Sequence, residues 1–265
     1  MTFSFVQITD HHLSTSEDAL VRGFSPAYAF RAVLRHIAEN VADSIDFIIS
    51  TGDLVEPDSQ VAYRSLSRML GLSGEAGGPP GPRLASIEGL REFPMYFMPG
   101  NHDDRRYFFE NLFPQTPPMP LMNVAFTHKG VQFICLDWGT HAKAVAYPET
   151  LEFMEASLQN GTPSIVVTHH HVTPVGSRWL DDFIADGIER FWEIVRGRRV
   201  MGILCAHTHL TYEKVVEGIP VYGIRSTAFP FALQDEPLVC LMPPQYRYIT
   251  VQDNLLTTRV FEVPL

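Results

Sequence analysis

The stretch MPGNHDDRR, residues 98–106, decides the fold because it places a carboxamide, an imidazole and two carboxylates directly after an apolar run. Residues 94–98 read PMYFM, and a short apolar run that meets a Pro-Gly pair predicts a buried strand followed by a tight turn. In open α/β sheets, ligand sites lie beyond the carboxyl ends of the strands. The stretch therefore predicts one corner of a polar site.

Four other predicted strands end in polar residues of the same kinds. Strands are predicted at 3–8, 47–50, 164–167 and 200–205, and they lead into TDHHL, TGDLVE, THHHVTP and AHTHL. Helices are predicted at 27–40, 62–72, 149–158 and 183–195, and further strands at 131–136, 219–222, 246–251 and 258–263. Strands that alternate with helices predict an α/β fold, here with an antiparallel element near the end.

The polar strand ends offer seven metal donors, which are oxygen or imidazole groups without a thiolate: Asp10, His12, Asp53, Asn101, His169, His207 and His209. Such donors suit manganese, iron and zinc ions. A single catalytic ion usually takes three or four protein ligands. Seven donors therefore predict two ions that share one carboxylate, an arrangement suited to phosphoryl displacement.

Each fragment also has an interpretation without a metal. The Gly-Asp pair at 52–53 is typical of turns, and Asn101 could cap a helix over DDRRYFFENL. Buried histidines such as those at 169–171 are commonly satisfied by backbone groups. The imidazoles of His207 and His209 share one face of an extended segment, which does not decide the matter alone. The combination of five fragments in a fixed order, each after an apolar strand, favours the metal site.

The composition excludes several classes of function. The chain has 265 residues and a net charge of -10, which argues against nucleic-acid binding because phosphate neutralisation needs clustered basic residues. Cys135, Cys205 and Cys240 form no Cys-x-x-Cys pair, which predicts a reduced, cytoplasmic protein. The amino terminus shows no signal-peptide pattern, and no apolar run approaches the ~20 residues of a membrane helix. No nucleic-acid partner and no membrane span are expected.

The segment FPFALQDEPLVCLMPPQYRY, residues 229–248, has two interpretations. Its apolar and aromatic residues suit either the core or a contact in a homodimer, and they also suit a wall or lid over the site. Substrate specificity is expected from the segments 55–91, 104–122 and 226–242.

The ordered set Asp-x-His, Gly-Asp, Gly-Asn-His-Asp, His and His-x-His over residues 10–209 resembles the calcineurin-like metallophosphoesterase superfamily. Within it, ITDHHL, STGDLVE, MPGNHD, VVTHHH and the later RSTAF resemble class III cyclic nucleotide phosphodiesterases and bacterial glycerophosphodiesterases. The resemblance implies a four-layer αββα sandwich with mixed sheets and a dinuclear metal site at the carboxyl ends of the strands. It implies one domain over 1–265, in which strands from about 211 to 265 complete the second sheet.

The resemblance also implies a role for each site residue. One metal ion is held by Asp10, His12 and His209, the other by Asn101, His169 and His207, and Asp53 bridges both. His102 faces the substrate phosphate, and Asp103 holds the His102 ring and favours its protonated form.

Two departures from the superfamily pattern concern the last motifs. Ala206 replaces the glycine of Gly-His-x-His, a change small enough for the site to survive. The run THHHVTP lacks the His-Pro-Pro form, which leaves the choice among His169, His170 and His171 open. His169 is preferred because it directly follows the strand.

The implied activity is hydrolysis of small phosphodiesters such as 3′,5′-cyclic nucleotides or glycerophosphodiesters. Two divalent ions of manganese, iron or zinc lower the pKa of a shared water, and the resulting hydroxide attacks phosphorus. The alternatives are a phosphomonoesterase or phosphonate-related hydrolase on the same site, and a non-catalytic metal-dependent interaction module. The motif loops offer only Arg105 and Arg106 as cations, which favours a monoanionic diester over a monoester dianion. Arg225, just before the Ser-Thr pair, is the exception, because a contact from it to a phosphate or a substrate carboxylate would change this preference.

Overall fold

The computed structural model describes residues 2–56, 59–72, 78–79, 81–87 and 91–265. The strands of the described residues, β1 to β12 in chain order, are Thr2–Ile8, Phe47–Thr51, Arg83–Ile87, Arg91–Met98, Val124–His128, Val131–Leu136, Ser164–Thr168, Val200–Cys205, Tyr212–Val216, Ile219–Gly223, Gln245–Gln252 and Leu255–Glu262. The helices, α1 to α6, are Pro26–Asn40, Gln60–Met69, Arg105–Leu112, Pro148–Leu158, Arg178–Asp181 and Glu189–Val195.

The strands form two mixed sheets. The first has the order β12-β11-β1-β2-β4-β3, in which β1, β2 and β4 are parallel. The second has the order β5-β6-β7-β8-β10-β9, in which β6, β7, β8 and β10 are parallel. Parallel strands at the centre of each sheet bring several carboxyl ends together, as the sequence predicts.

The two sheets pack face to face, and helices cover their outer faces. In β6, the Phe133 ring lies 5.2 Å from Phe5 and 5.4 Å from Phe47 of the first sheet. The next residue, Ile134, belongs instead to the apolar cluster that includes Met154 of α4 and residues of α6. Because side chains alternate along a strand, β6 supplies both interfaces. The result is the expected α/β sandwich of helix, sheet, sheet and helix layers.

Helix α3 begins at Arg105, within the stretch MPGNHDDRR. The Asp104 side chain accepts a hydrogen bond of 3.0 Å from the Tyr107 backbone N–H and caps the helix. Asp104, and not Asn101, is therefore the cap of this helix, and the Asn101 carboxamide belongs to the site.

The placement of the carboxyl-terminal strands corrects one expectation. Strands β9 and β10 join the second sheet, but β11 and β12 belong to the first, where β11 pairs antiparallel with β1. Tyr246 and Ile249 of β11 are buried in the core that β1 also lines. A strand with alternating apolar and polar residues can pair with the edge of either sheet. The sequence pattern of residues 245–262 therefore does not determine which sheet these strands join.

Three strands that the sequence did not predict lie at sheet edges: β3, β5 and β9. Edge strands are half-exposed, so their apolar pattern is weak; β9 for example has no fully buried residue. The helix predicted at 183–195 is interrupted at Gly187, whose φ is +78°, and only its second half forms α6. The sequence GEAGGPPGPR at 74–83 predicts a Gly/Pro-rich loop, and half of it, residues 74–77 and 80, lies outside the described residues.

Candidate metal centre

The seven predicted metal donors lie in loops that follow the carboxyl ends of five parallel strands. β1 leads to Asp10 and His12, β2 to Asp53, β4 to Asn101, β7 to His169, and β8 to His207 and His209. Six of the donors are buried, and Asn101 is half-buried. Charged and polar groups are buried together only when partners compensate for their lost hydration.

The donors form two groups, within each of which the candidate ligand atoms lie less than 4.8 Å apart. The first group is Asp10, His12 and His209, and the second is Asp53, His169 and His207. Asp53 also approaches the first group, because its Oδ2 lies 3.3 Å from His169 Nε2 and 3.8 Å from His12 Nε2. Asp53 thus lies between the two halves, and the assignment of these residues as metal ligands stays a prediction.

The first group contains lone pairs that face one another. His209 Nδ1 lies 2.6 Å from the carbonyl oxygen of Phe229 and must donate to it, and His12 Nδ1 lies 2.9 Å from Glu56 Oε2. Both Nε2 atoms then carry lone pairs, yet they are only 3.2 Å apart. Asp10 is completely buried, and neither of its carboxylate oxygens has a hydrogen-bond partner among the described residues. A cation between these atoms resolves both conflicts, so the residues fit a divalent ion.

Ring nitrogens and oxygen atoms also crowd together in the second group. His169 Nδ1 donates to the Thr51 carbonyl oxygen at 2.9 Å, so its Nε2 is the atom that faces the site. Asn101 Oδ1 lies 3.1 Å from that Nε2 and 2.9 Å from His207 Nδ1. Candidate ligand atoms from three residues thus converge beside Asp53, and this set of nitrogen and oxygen atoms fits a cation.

Burial and neighbouring charges shift the pKa values of the donors in different directions. Burial would raise the pKa of Asp53, but the charges of His169 and the other imidazoles outweigh it and hold this pKa well below its usual value. Burial lowers the pKa of His12 and, together with the neighbouring histidines, takes that of His207 well below 6.5. Burial acts in the same direction on His169, but the Asp53 charge raises its pKa to about 9. An ionised carboxylate between imidazoles is the form that takes up a cation in place of a proton.

The backbone is strained at most of the donors. Five of the seven have a positive φ: Asp10 (54°), His12 (44°), Asp53 (51°), His207 (63°) and His209 (52°). The left-handed conformation costs a residue with a side chain roughly 1–2 kcal/mol. Such strain persists where the surrounding structure enforces it, and it concentrates at functional sites.

Two glycines allow the motif loops to approach one another. A Cβ on Gly52 would lie 2.6 Å from Gly100 N and from His169 Nδ1, and a Cβ on Gly100 would collide with Asp53. Ala206, in contrast, is buried without a positive φ, and its N–H donates to the His169 carbonyl oxygen at 2.8 Å. The alanine therefore replaces the glycine of the superfamily pattern without conformational strain.

His102 and Asp103 follow Asn101 but face different ways. The His102 side chain is 38% exposed and lines the pocket in front of the donors, with Nε2 4.0 Å from Asp53 Oδ2. Asp103 is completely buried, and its carboxylate accepts hydrogen bonds from the N–H groups of Leu54 and Gly100 and from the Tyr63 hydroxyl. The expectation that Asp103 holds the His102 ring is therefore wrong, because these groups occupy the carboxylate. Burial and the Asp53 charge raise the pKa of Asp103 to about 6.

The structure distinguishes the three consecutive histidines. His169 alone among them brings a ring nitrogen to Asp53. His170 Nε2 lies 3.1 Å from the His141 carbonyl oxygen, and burial lowers the pKa of His170 to about 3 and that of His171 to about 4. The geometry supports the preference for His169 as the donor.

Glu56 is a residue whose role the sequence reasoning missed. Its carboxylate contacts His12 Nδ1, and the Nε2 of that ring faces Asp10 and His209. This contact lowers the pKa of Glu56. Carboxylates that contact the second nitrogen of a histidine ligand are common in metal sites, and Glu56 closes the TGDLVE motif, so a signal was present.

The donors open into a pocket of about 160 Å³. One side of it is an aromatic wall, defined here as Trp179, Phe183, Phe229 and Phe231. Phe229 and Phe231 come from the segment 226–242, which supports its interpretation as a wall. The segment 104–122 contributes none of the described lining residues, whereas the segment around α5 supplies Trp179 and Phe183 without having been anticipated.

The cation in the pocket is not one of those considered from the sequence. Arg105 is buried against Asp137, with Nε 2.8 Å from Oδ2, and Arg225 contacts Glu262 Oε1 at 3.2 Å. Arg106 lies 4.4 Å from the centre of the Tyr107 ring. Among the described residues that line the pocket, Arg22 is the only lysine or arginine.

The fold and the site together define a class of protein. The family model described as calcineurin-like phosphoesterase matches residues 3–210, and the chain belongs to this family. Within the described residues, none of the helices has both the length and the apolar character needed to cross a membrane.

More particular similarities are to cyclic nucleotide phosphodiesterases. The chain is 28% identical to the 3′,5′-cyclic adenosine monophosphate phosphodiesterase CpdA of Vibrio vulnificus, with 98% of this chain and 89% of that protein covered. It is 24% identical to a 3′,5′-cyclic-nucleotide phosphodiesterase of Nostoc, with 100% and 94% covered. A dimetal phosphatase from Danio rerio shares the fold with a TM-score of 0.62, at 12% identity and with 99% of both chains covered.

Proposed function

We propose that this chain hydrolyses small phosphodiesters, including 3′,5′-cyclic nucleotides, at a centre of two divalent metal ions. The observation that carries the proposal is the convergence of seven donor residues into two groups on either side of Asp53. In both groups, ring nitrogens and carboxylate or amide oxygens crowd together, and a cation accounts for their arrangement. Manganese, iron and zinc match this set of oxygen and imidazole donors.

The proposed ligands follow the geometry. Asp10, His12 and His209 would hold one ion, His169, His207 and Asn101 would hold the other, and Asp53 would serve both. Glu56 and the Phe229 carbonyl oxygen orient the rings of His12 and His209. When bound, the ions supply Lewis acidity and a water nucleophile that is active near neutral pH.

The residues of the chain bind and protonate the substrate. His102 lines the pocket and is partly exposed, and its backbone N–H donates to Asp53 Oδ1 at 2.9 Å, which fixes its position beside the shared ligand. We assign to its imidazole the protonation of the leaving alkoxide, a task that contributes roughly 10²–10⁴-fold to the rate. Asp103 holds the loop in place through Gly100 and Leu54 rather than through the His102 ring.

The shape of the pocket supports a nucleoside-sized substituent. The aromatic wall runs from Phe183, 5.3 Å from the His207 ring, to Phe231, 4.7 Å from the His209 ring. Aromatic side chains stack on nucleobases with little dependence on sequence. The relatives named as cyclic nucleotide phosphodiesterases align over nearly the whole chain, which supports the same substrate class.

A phosphomonoesterase is the second candidate, because two donor groups of this kind suit phosphoryl displacement on monoesters as well as diesters. The complete donor set and the open position of His102 argue against a non-catalytic interaction module. We further propose one domain over 1–265, since residues of both sheets share one core, and a cytoplasmic location, since all three cysteines are free. A homodimer stays a prediction, to be checked by light scattering.

The test is a substrate panel on protein loaded with Mn²⁺. It compares 3′,5′-cyclic AMP and GMP, glycerophosphodiesters, bis(p-nitrophenyl) phosphate and p-nitrophenyl phosphate. We expect diesters to be cleaved with the higher kcat/KM and a cyclic nucleotide to be among the substrates. A monoester preference of about tenfold or more, 1.4 kcal/mol in the transition state, would instead establish the phosphatase.

A further inference from the structure

Arg22 stands on a strained two-residue turn at the edge of the pocket. Val21 and Phe24 exchange two backbone hydrogen bonds of 2.9 Å, and between them Arg22 has a φ of +50° and Gly23 a φ of +85°. Hairpin turns with positive φ at both central residues favour Asn-Gly, and an arginine in this conformation costs roughly 1–2 kcal/mol. Strain of this kind concentrates at functional sites, which indicates that the position of the Arg22 side chain serves a function.

The turn is fixed to the aromatic wall. Val21 and Phe24 pack against the apolar cluster that contains Phe229 and Phe231. The Arg22 Cζ atom lies 5.6 Å from the centre of the Phe229 ring and 5.8 Å from that of Phe231. The guanidinium is therefore held over the wall by cation–π attraction, with its N–H edge left available.

This end of the wall adjoins the first donor group. The Phe229 ring is 5.0 Å from the His12 ring and 4.8 Å from the His209 ring. The guanidinium is thus one phenylalanine ring away from the donors. A group bound to Arg22 would belong to the substituent of the ester rather than to the phosphate held at the metal centre.

The charge of Arg22 is not neutralised by a close partner. No carboxylate oxygen of a described residue lies within 4.0 Å of its guanidinium. This is unusual in a chain with 30 acidic and 20 basic residues, in which arginines such as Arg105 and Arg190 pair with acids. Glu56 also lines the pocket, but its close partner is His12, and Arg22 contributes least among the named causes that lower its pKa.

We propose that Arg22 determines specificity by binding a second phosphate group, carried on the substituent of the phosphodiester. The inference rests on the proposed phosphodiesterase function and narrows its substrate class. A guanidinium binds phosphate through two parallel hydrogen bonds, and such charge-assisted bonds are about twice as strong as neutral ones. Phosphodiesters with a further phosphate are then preferred over cyclic nucleotides, which carry a single negative charge.

The test uses two substrates that differ only in the second phosphate. They are the p-nitrophenyl ester of thymidine 5′-phosphate with a free 3′-hydroxyl, and the same ester with a 3′-phosphate. The scissile bond and the leaving group are identical, so the ratio of the two kcat/KM values reports the second phosphate. The variants are Arg22→Gln, Arg22→Lys and, as a control with the same change of charge, Arg106→Gln, which stacks on Tyr107 outside the pocket lining.

We expect the wild type to prefer the 3′-phosphate by about tenfold or more, the gain typical of a charged hydrogen bond. Arg22→Gln should bring the ratio close to one, Arg22→Lys should retain part of it, and Arg106→Gln should leave it as in the wild type. A ratio that Arg22→Gln does not change, or a wild type without preference for the 3′-phosphate, would overturn the proposal.

A binding measurement separates this inference from the proposed function. Calorimetry on the Mn²⁺-loaded protein compares thymidine 3′,5′-bisphosphate with thymidine 5′-monophosphate. The wild type should bind the bisphosphate more tightly, and Arg22→Gln should lose that difference; equal discrimination in both proteins would refute the role of Arg22. If neither diester is hydrolysed, the proposed function fails, while the binding comparison still decides the role of Arg22.

Discussion

Replacing Glu56 by glutamine tests whether the carboxylate that contacts His12 supports a metal centre. Glu56 Oε2 lies 2.9 Å from His12 Nδ1, and His12 is one of three donors in the first group. Loss of a carboxylate behind a histidine ligand typically weakens metal binding 10–100-fold. Glutamine keeps an oxygen acceptor but loses the charge, so we expect about a tenfold weaker first site. Alanine also removes the acceptor, and Glu56→Ala should approach about 100-fold.

The assay is a calorimetric titration of metal-free protein with Mn²⁺, which resolves two binding steps. Glu56 does not belong to the group of Asp53, His169 and His207, so only one step should weaken. The control is Glu152→Gln, which removes the same charge from the exposed face of α4. Unchanged affinity in both steps, or an equal loss in both, would refute the assignment of Glu56 to the ring of His12.

Four further changes test other parts of the site and the fold. Asp53→Ala should be the most damaging ligand change, because Asp53 approaches both donor groups; elemental analysis should find fewer than two ions per chain, and two retained ions would contradict its shared role. His102→Ala should keep both ions but lose roughly 10²–10⁴-fold in kcat, more for alkoxide than for p-nitrophenolate leaving groups; equal losses would indicate charge stabilisation instead of proton donation. Gly100→Ala should abolish metal binding because its Cβ collides with Asp53, and a variant that binds two ions normally would show that the loop adapts. Glu213→Gln should destabilise the fold by roughly 1–2 kcal/mol at pH 7, because it leaves the fully buried Arg247 without its charged partner. The fold lowers the pKa of Glu213 from 4.5. The stabilisation by this ion pair is therefore present above pH 4.5 and is lost as the pH falls through the lower pKa of the folded state. Thermal denaturation of the wild type and of Glu213→Gln should show that their stabilities converge in acid.

The central strands could be predicted closely, while the edges could not. β6 and β8 have the predicted bounds, because both are short, mostly apolar segments and most of their residues are buried. β3, β5 and β9 escaped prediction because each lies at an edge and exposes part of its surface. The apolar pattern of residues 245–262 fits either sheet, so these strands were predicted in the second sheet, whereas they belong to the first.

The sequence by itself determined the strand ends, the donor types and their order. Asp10, Asp53 and Asn101 could be identified as candidate donors because each lies shortly after an apolar run. A pattern of this kind involves only neighbouring residues, so it can be recognised without a three-dimensional structure. The side chains and backbone groups that site residues contact could not be identified from the sequence. Only the folded chain directs Asp103 to Leu54 and Gly100 instead of His102, and only the folded chain brings Arg22 over the aromatic wall. The physical reason is that hydrogen bonding and ring stacking depend on distances of a few ångströms between residues far apart in sequence, and the packing of the two sheets sets those distances.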